Sequence, residues 1–100
     1  MELISVRELF KNTAKYADQT IEIGGWVRNR RPSKQFGFIV LNDGTYFNPV
    51  QVVYNDSIEN FQEISKINIG AALIVKGTLV LTPDSKQPFE IQAETVTVEG

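Results

Sequence analysis

Apolar and polar residues alternate with a period of two through five stretches of this chain, and between the third and fourth the spacing lengthens to that of a helix. Ile21 and Ile23 alternate with Glu22 and Gly24, and the pattern carries on through Val27, predicting a long first strand from Thr20 to Arg30. Phe36 to Asn42 reads as the second strand. Val50 to Tyr54, after the turn signal Asn42-Asp43-Gly44-Thr45 and Pro49, reads as the third. Ser57 stands where it can cap a helix in which Ile58, Phe61 and Ile64 recur, with Ile67 extending the stripe. Ala71 to Leu81, broken by Gly77, is the fourth strand. After the turn Pro83-Asp84-Ser85, Pro88 to Val98 is the fifth, with Phe89, Ile91 and Ala93 on one face. Ahead of all five, Ser5 with Glu8 three residues on, and Ile4 and Leu9 around them, make a capping box with a hydrophobic staple. They predict a short helix from Val6 to Asn12.

Three strands, a helix and two further strands is the order of the OB-fold. The Gly24-Gly25 pair predicts a bulge or sharp bend in the first strand, as closing a small barrel requires. The expected fold is therefore all-β with a minor helical part: a five-stranded Greek-key barrel filling residues 1–100 as one domain, with a short N-terminal helix and a second helix between strands 3 and 4. In strand 2, aliphatic Ile39 and Leu41 point inward and turn Phe36, Phe38 and Val40 outward. In strand 3, Val50, Val52 and Tyr54 point inward and Gln51 outward. With a regular register, Phe38 and Gln51 share one exposed face.

Charge changes this picture more than composition does. An apolar fraction of 42% is ample for one core, and the net charge of −2 hides two unlike halves. Residues 1–50 hold seven Lys and Arg against five Asp and Glu, and residues 51–100 hold three against seven. Arg28, Arg30, Arg31 and Lys34 form a run without an acid at the end of strand 1 and in its loop to strand 2, one of the two loops that flank the OB binding face. Ser85-Lys86-Gln87 lies in the other flanking loop. The absence of Cys excludes disulfides and thiolate metal sites, and the absence of His removes the commonest acid–base group and metal ligand. No run approaches the roughly 18 apolar residues of a membrane span, and the N-terminus carries acids where a signal peptide is basic; the expectation is a soluble, cytoplasmic protein.

Cations ahead of outward aromatic rings, with an amide on the neighbouring strand, are the chemistry of a surface for single-stranded nucleic acid. Cations take phosphates, rings stack on bases, and an amide hydrogen-bonds a base edge. Phe38 is the candidate stacking ring and Gln51 the candidate reader, since its amide can donate to a uracil carbonyl while accepting from N3–H. Arg28, Arg30, Arg31 and Lys34 are candidates for phosphates or base planes. Glu90, outward before Ile91, is either a solubility residue or an acceptor for a base donor. Trp26 reads as a structural residue at the strand bend. Two other functions stay open on the residues alone: a sequence-tolerant single-strand binder, and a protein-interaction module using Phe36, Phe38 and Val40. No spacing suggests a paired-carboxylate or metal site, which leaves catalysis a distant third.

The stretches GWVRNRRPSKQFGFIVLNDGTYFNPVQVVY, IGAALIVKGTLVLTP and FEIQAETVTVEG resemble the N-terminal anticodon-binding domain of class IIb aminoacyl-tRNA synthetases, the aspartate, asparagine and lysine enzymes, from Ile21 to Gly100. SKQFGFIVLNDG, with Asn-Asp-Gly at its turn, looks most like the asparagine branch. The resemblance implies that the partner is tRNA, with Phe38 stacking on the central anticodon uridine, Gln51 reading its edge, Arg31 in contact nearby and Glu90 helping to read the third base. Strict alternation from Val27 nevertheless turns Arg31 inward unless the strand ends or bulges first. No catalytic motif of the family is present, so the chain itself is expected to need no cofactor and to be a monomer. ATP, magnesium and the homodimer belong, on this resemblance, to full-length members with a catalytic domain.

Overall fold

The computed structural model describes residues 3–84 and 87–99. In chain order the elements are α1 (Val6–Lys11), α2 (Thr13–Tyr16), β1 (Thr20–Pro32), β2 (Phe36–Asn42), β3 (Val50–Asn55), α3 (Phe61–Ser65), β4 (Ala72–Leu81) and β5 (Phe89–Val98). The strands close into one barrel in the order β1-β2-β3-β5-β4, with β3 and β5 the parallel pair and every other pair antiparallel. This is the expected OB barrel. Its interior is filled by the inward half of each alternating strand, including Ile21, Ile23, Val27, Ile39, Leu41, Val52, Tyr54, Val75, Leu79 and Ile91, all at most 2% exposed.

The barrel closes because β1 serves two neighbours. Residues 20–26 pair with β4 and residues 26–32 with β2, so Trp26 is laddered to both Asn42 and Ala72. The glycine pair keeps register through this handover and forms no bulge. Gly25 is instead a close-approach residue: a Cβ there would lie 2.5 Å from the Asn42 carbonyl oxygen. The irregularity falls three residues later, where the ladder passes from Val27↔Leu41 to Asn29↔Val40 and leaves Arg28 without a partner. Gly77 likewise does not break β4. Lys76 pairs with Thr95 and Gly77 with Ala93, so the extra residue is Glu94, on β5.

The helices differ more from expectation. Ser5 caps α1, its Oγ accepting from the Glu8 N–H at 3.1 Å. The reciprocal half of the capping box is replaced, because the Glu8 carboxylate accepts from the Tyr16 hydroxyl at 2.6 Å and from the Asn12 amide at 3.0 Å. Tyr16 belongs to α2, a turn of helix that the apolar pattern does not foretell. No helix starts at Ser57. The Asn55 side chain accepts from both the backbone N–H and the hydroxyl of Ser57, closing a local turn that competes with helix, and α3 begins only at Phe61. Phe61 and Ile64 still seal the barrel end, with the Phe61 ring 5.7 Å from Tyr54. Among the described residues no helix is long and apolar enough to cross a membrane.

Candidate nucleic-acid interface

The outer face of β1, β2, β3 and β5 is built in cross-strand rows. Antiparallel partners present their side chains on the same side, so each ladder pair assigns two residues at once. Arg31 pairs with Phe38 and Phe38 with Val53. Val53 continues to Gln92 on β5. The adjacent outward row runs Asn29, Val40, Gln51. One residue back from Val52↔Ile91 along both parallel strands, Gln51 lies beside Glu90. Phe38 and Gln51 are thus diagonal neighbours, roughly 7 Å apart on adjacent strands.

Arg31 reaches this face only because of the bulge. Val27 points into the barrel with Leu41, and strict alternation would send Arg31 the same way. The unpaired Arg28 shifts the phase by one, bringing Arg31 out opposite Phe38 and turning Arg30 in opposite core residue Ile39. The bulge is the condition on which Arg31 faces outward. It also parts Arg30 from the outer cations with which the sequence groups it: Arg30 is half-buried, and its Nε is buried without a hydrogen-bond partner, as are the Tyr54 hydroxyl and the Ser65 hydroxyl.

Arg28 and Arg31 are exposed, and Lys34 stands at the tip of a tight turn in which Ser33 donates its N–H and its hydroxyl to the Phe36 carbonyl. Phe36 is 59% exposed, whereas Phe38, Val40, Gln51 and Glu90 are half-buried, each with one flank against its neighbours. Among the described residues, the Gln51 amide, the Glu90 carboxylate and the side chains of Arg28, Arg31 and Lys34 have no hydrogen-bond or ion-pair partner and are open to a ligand. Trp26, 45% exposed, lies against the turn after β2, where a Cβ on Gly44 would sit 3.2 Å from its ring. Of the second flanking loop, Ser85 and Lys86 fall outside the described residues.

Asn29 is the residue of this face that the sequence reading missed, because alternation without a bulge turns it inward with Val27. Its Oδ1 accepts from the Arg30 N–H at 2.8 Å and steadies the backbone beside the bulge.

A family model for the OB-fold nucleic acid binding domain of the tRNA anticodon type matches residues 21–99. The chain belongs to that family. Over all of its length it is 54% identical to an asparagine–tRNA ligase of Alkaliphilus oremlandii, of which it spans 22%. Its backbone is similar to the asparaginyl-tRNA synthetase of Pyrococcus horikoshii complexed with asparaginyl-adenylate, with a TM-score of 0.82 at 20% identity over 98% of this chain and 22% of that one. It is also similar to the aspartyl-tRNA synthetase of Entamoeba histolytica, with a TM-score of 0.80 at 21% identity over 98% of this chain and 21% of that one. At those identities the two structures speak to the fold alone. The chain spans about a fifth of the length of the curated relatives it matches.

Proposed function

We propose that this anticodon-binding domain holds the anticodon loop of an asparagine tRNA and reads its central uridine. The observation that carries the reading is the diagonal of Phe38 and Gln51 on one outer face, with Arg31 across from Phe38 and Glu90 beside Gln51. Arg28, Arg31 and Lys34 attract the phosphate chain and release its counterions, which makes binding salt-dependent. Phe38 takes a base on its open side, worth about 1–3 kcal/mol. Gln51 then offers a donor and an acceptor to the edge of that base, and any base with the wrong pattern leaves the amide buried and unpaired, at a cost of about 1–3 kcal/mol. Glu90 accepts from a donor on the next base. The chemistry of aminoacylation, with its ATP and magnesium, belongs on this reading to a region outside these 100 residues.

The test is a binding titration of an anticodon stem-loop carrying GUU against one carrying GCU, repeated with Gln51→Ala. Preference for GUU that Gln51→Ala abolishes is the expected result. Equal affinity for both loops would reduce the domain to a sequence-tolerant single-strand binder.

A further inference from the structure

The most exposed large apolar side chain among the described residues lies off the strand face of Phe38 and Gln51. Phe47, on the loop between β2 and β3, is 77% exposed. It is nonetheless held from behind. Its ring lies 4.6 Å from Tyr46, Tyr46 stacks on Phe10 at 4.9 Å and 24°, and Phe10 leans on core residue Phe89 at 4.9 Å.

The loop beneath this ladder is pinned to the start of α1. Asp43 Oδ2 accepts from the Val6 N–H at 2.9 Å, and Thr45 Oγ1 accepts from the Arg7 N–H at 3.0 Å. Asp43 Oδ1 and Asn42 Oδ1 meanwhile close the turn on the N–H groups of Thr45 and Gly44. A ring fixed in this way loses little conformational freedom when something stacks on it.

Two cations stand on the helix to which this loop is pinned. Arg7 and Lys11 are four apart on α1 and so share a helix face; both are exposed, and neither is ion-paired among the described residues. The Lys11 Nζ is 5.9 Å from the centre of the Tyr46 ring. An anchored, open ring on a loop pinned to a helix that carries two unpaired cations repeats the chemistry of the Phe38 face.

The position continues that face. Phe89 directly precedes Glu90, and the loop runs straight into Val50 and Gln51. A strand lying over Gln51 and Glu90 and continuing along β2 and β3 meets the loop after one further outward position, an advance of about 7 Å.

We infer that Phe47, together with Arg7 and Lys11 of α1, is a second stacking station, which takes the unpaired nucleotide adjoining the triplet on the Glu90 side. This rests on the proposal that the chain binds an anticodon loop. It assigns ligand contacts to α1 and to the loop 43–49, neither of which lies on the strand face.

The test places the fluorescent base 2-aminopurine in the GUU stem-loop, immediately 5′ of the triplet in one RNA and immediately 3′ in another, and titrates each with this chain. Glu90 takes the third base of the triplet, so the expected result is quenching at the 3′ position; quenching at the 5′ position alone would overturn the station. Phe47→Ala should abolish the 3′ quenching and weaken binding about tenfold, Phe47→Trp should retain it, and the pair Arg7→Gln with Lys11→Gln should lower the salt slope by about 1.

Quenching and affinity unchanged in Phe47→Ala, while Gln51→Ala still erases the GUU preference, would overturn this inference and leave triplet reading intact. The converse, equal binding of GUU and GCU with quenching that depends on Phe47, would support the station and remove the reading. Self-association of the wild type that Phe47→Ala abolishes, with RNA binding unaltered, would give the ring to a protein partner and overturn the station. No binding of any loop by the wild type would overturn both.

Discussion

Arg31 stands directly across the β1–β2 ladder from Phe38, on the outer face, while its neighbour Arg30 stands across from the buried Ile39. Alternation gives these adjacent, chemically identical side chains opposite fates, and one unpaired residue, Arg28, decides which of them faces out. A cation beside an open ring can hold a phosphate while the ring takes the attached base. A cation turned toward the core acts mainly through its packed stem.

Arg31→Ala and Arg30→Ala should therefore fail differently. Arg31→Ala should weaken stem-loop binding and lower the salt slope by about 0.7, with an unchanged melting temperature. Arg30→Ala should instead lower stability, by about 1 kcal/mol. Salt-dependent titrations and thermal melts of the two variants check this, and a matching loss of affinity in both would contradict the bulge-set orientation.

Phe38→Ala should cost about 1–3 kcal/mol of binding to the GUU stem-loop and little stability, since the ring lies outside the barrel core. Phe38→Trp should restore most of the affinity because it keeps an aromatic face. Isothermal titration beside a denaturant melt separates the two quantities.

The adjacent glycines of β1 should respond in opposite ways to alanine. At Gly25 the new methyl would meet the Asn42 carbonyl oxygen at 2.5 Å, backbone that cannot yield without moving β2, and the expected loss is about 1–3 kcal/mol. At Gly24 the first contact is the Leu3 Cδ1 at 3.0 Å, the end of an exposed side chain that can swing aside. Denaturant unfolding of Gly24→Ala should show a midpoint close to that of the wild type.

The helical N-terminal segment should carry a pH signature. Hydrogen bonds from the Tyr16 hydroxyl and the Asn12 amide, helped by the nearby Lys15 charge, hold the Glu8 carboxyl below its ordinary pKa. The same Tyr16–Glu8 bond raises the tyrosine. For Glu8 the stabilisation is fully present above the ordinary carboxyl pKa and is lost as pH falls through the lowered one. For Tyr16 it is present below the ordinary tyrosine pKa and is lost as pH rises through the raised one. An NMR titration of Glu8 should show its pKa moving back up in Tyr16→Phe; an unmoved value would mean that the bond does not form in solution.

Where one face of an element is core and the other solvent, the apolar pattern was enough. The directions of Ile39, Leu41, Val50, Val52 and Tyr54, and hence the outward directions of Phe38 and Gln51, follow from period two alone. The pattern misled where a local polar bond outbid it. Asn55 turns the chain at Ser57 and delays α3, and Tyr16 draws Glu8 away from the cap. Phe47 escaped notice because a ring in a loop has no period, and only its stack through Tyr46 and Phe10 to Phe89 shows it to be held.

By itself, then, the sequence determined the five strands, their order along the chain, the barrel interior and the outward directions of Phe38 and Gln51, because burial repeats with strand period and needs no partner to be read. The tertiary structure decided what depends on two segments meeting: the site of the bulge, the outward turn of Arg31, the inward turn of Arg30 and the alignment of Glu90 with Gln51. A bulge arises from the register that β1 must hold with β2 and β4 at once, and that constraint belongs to the closed barrel rather than to any stretch of residues within it.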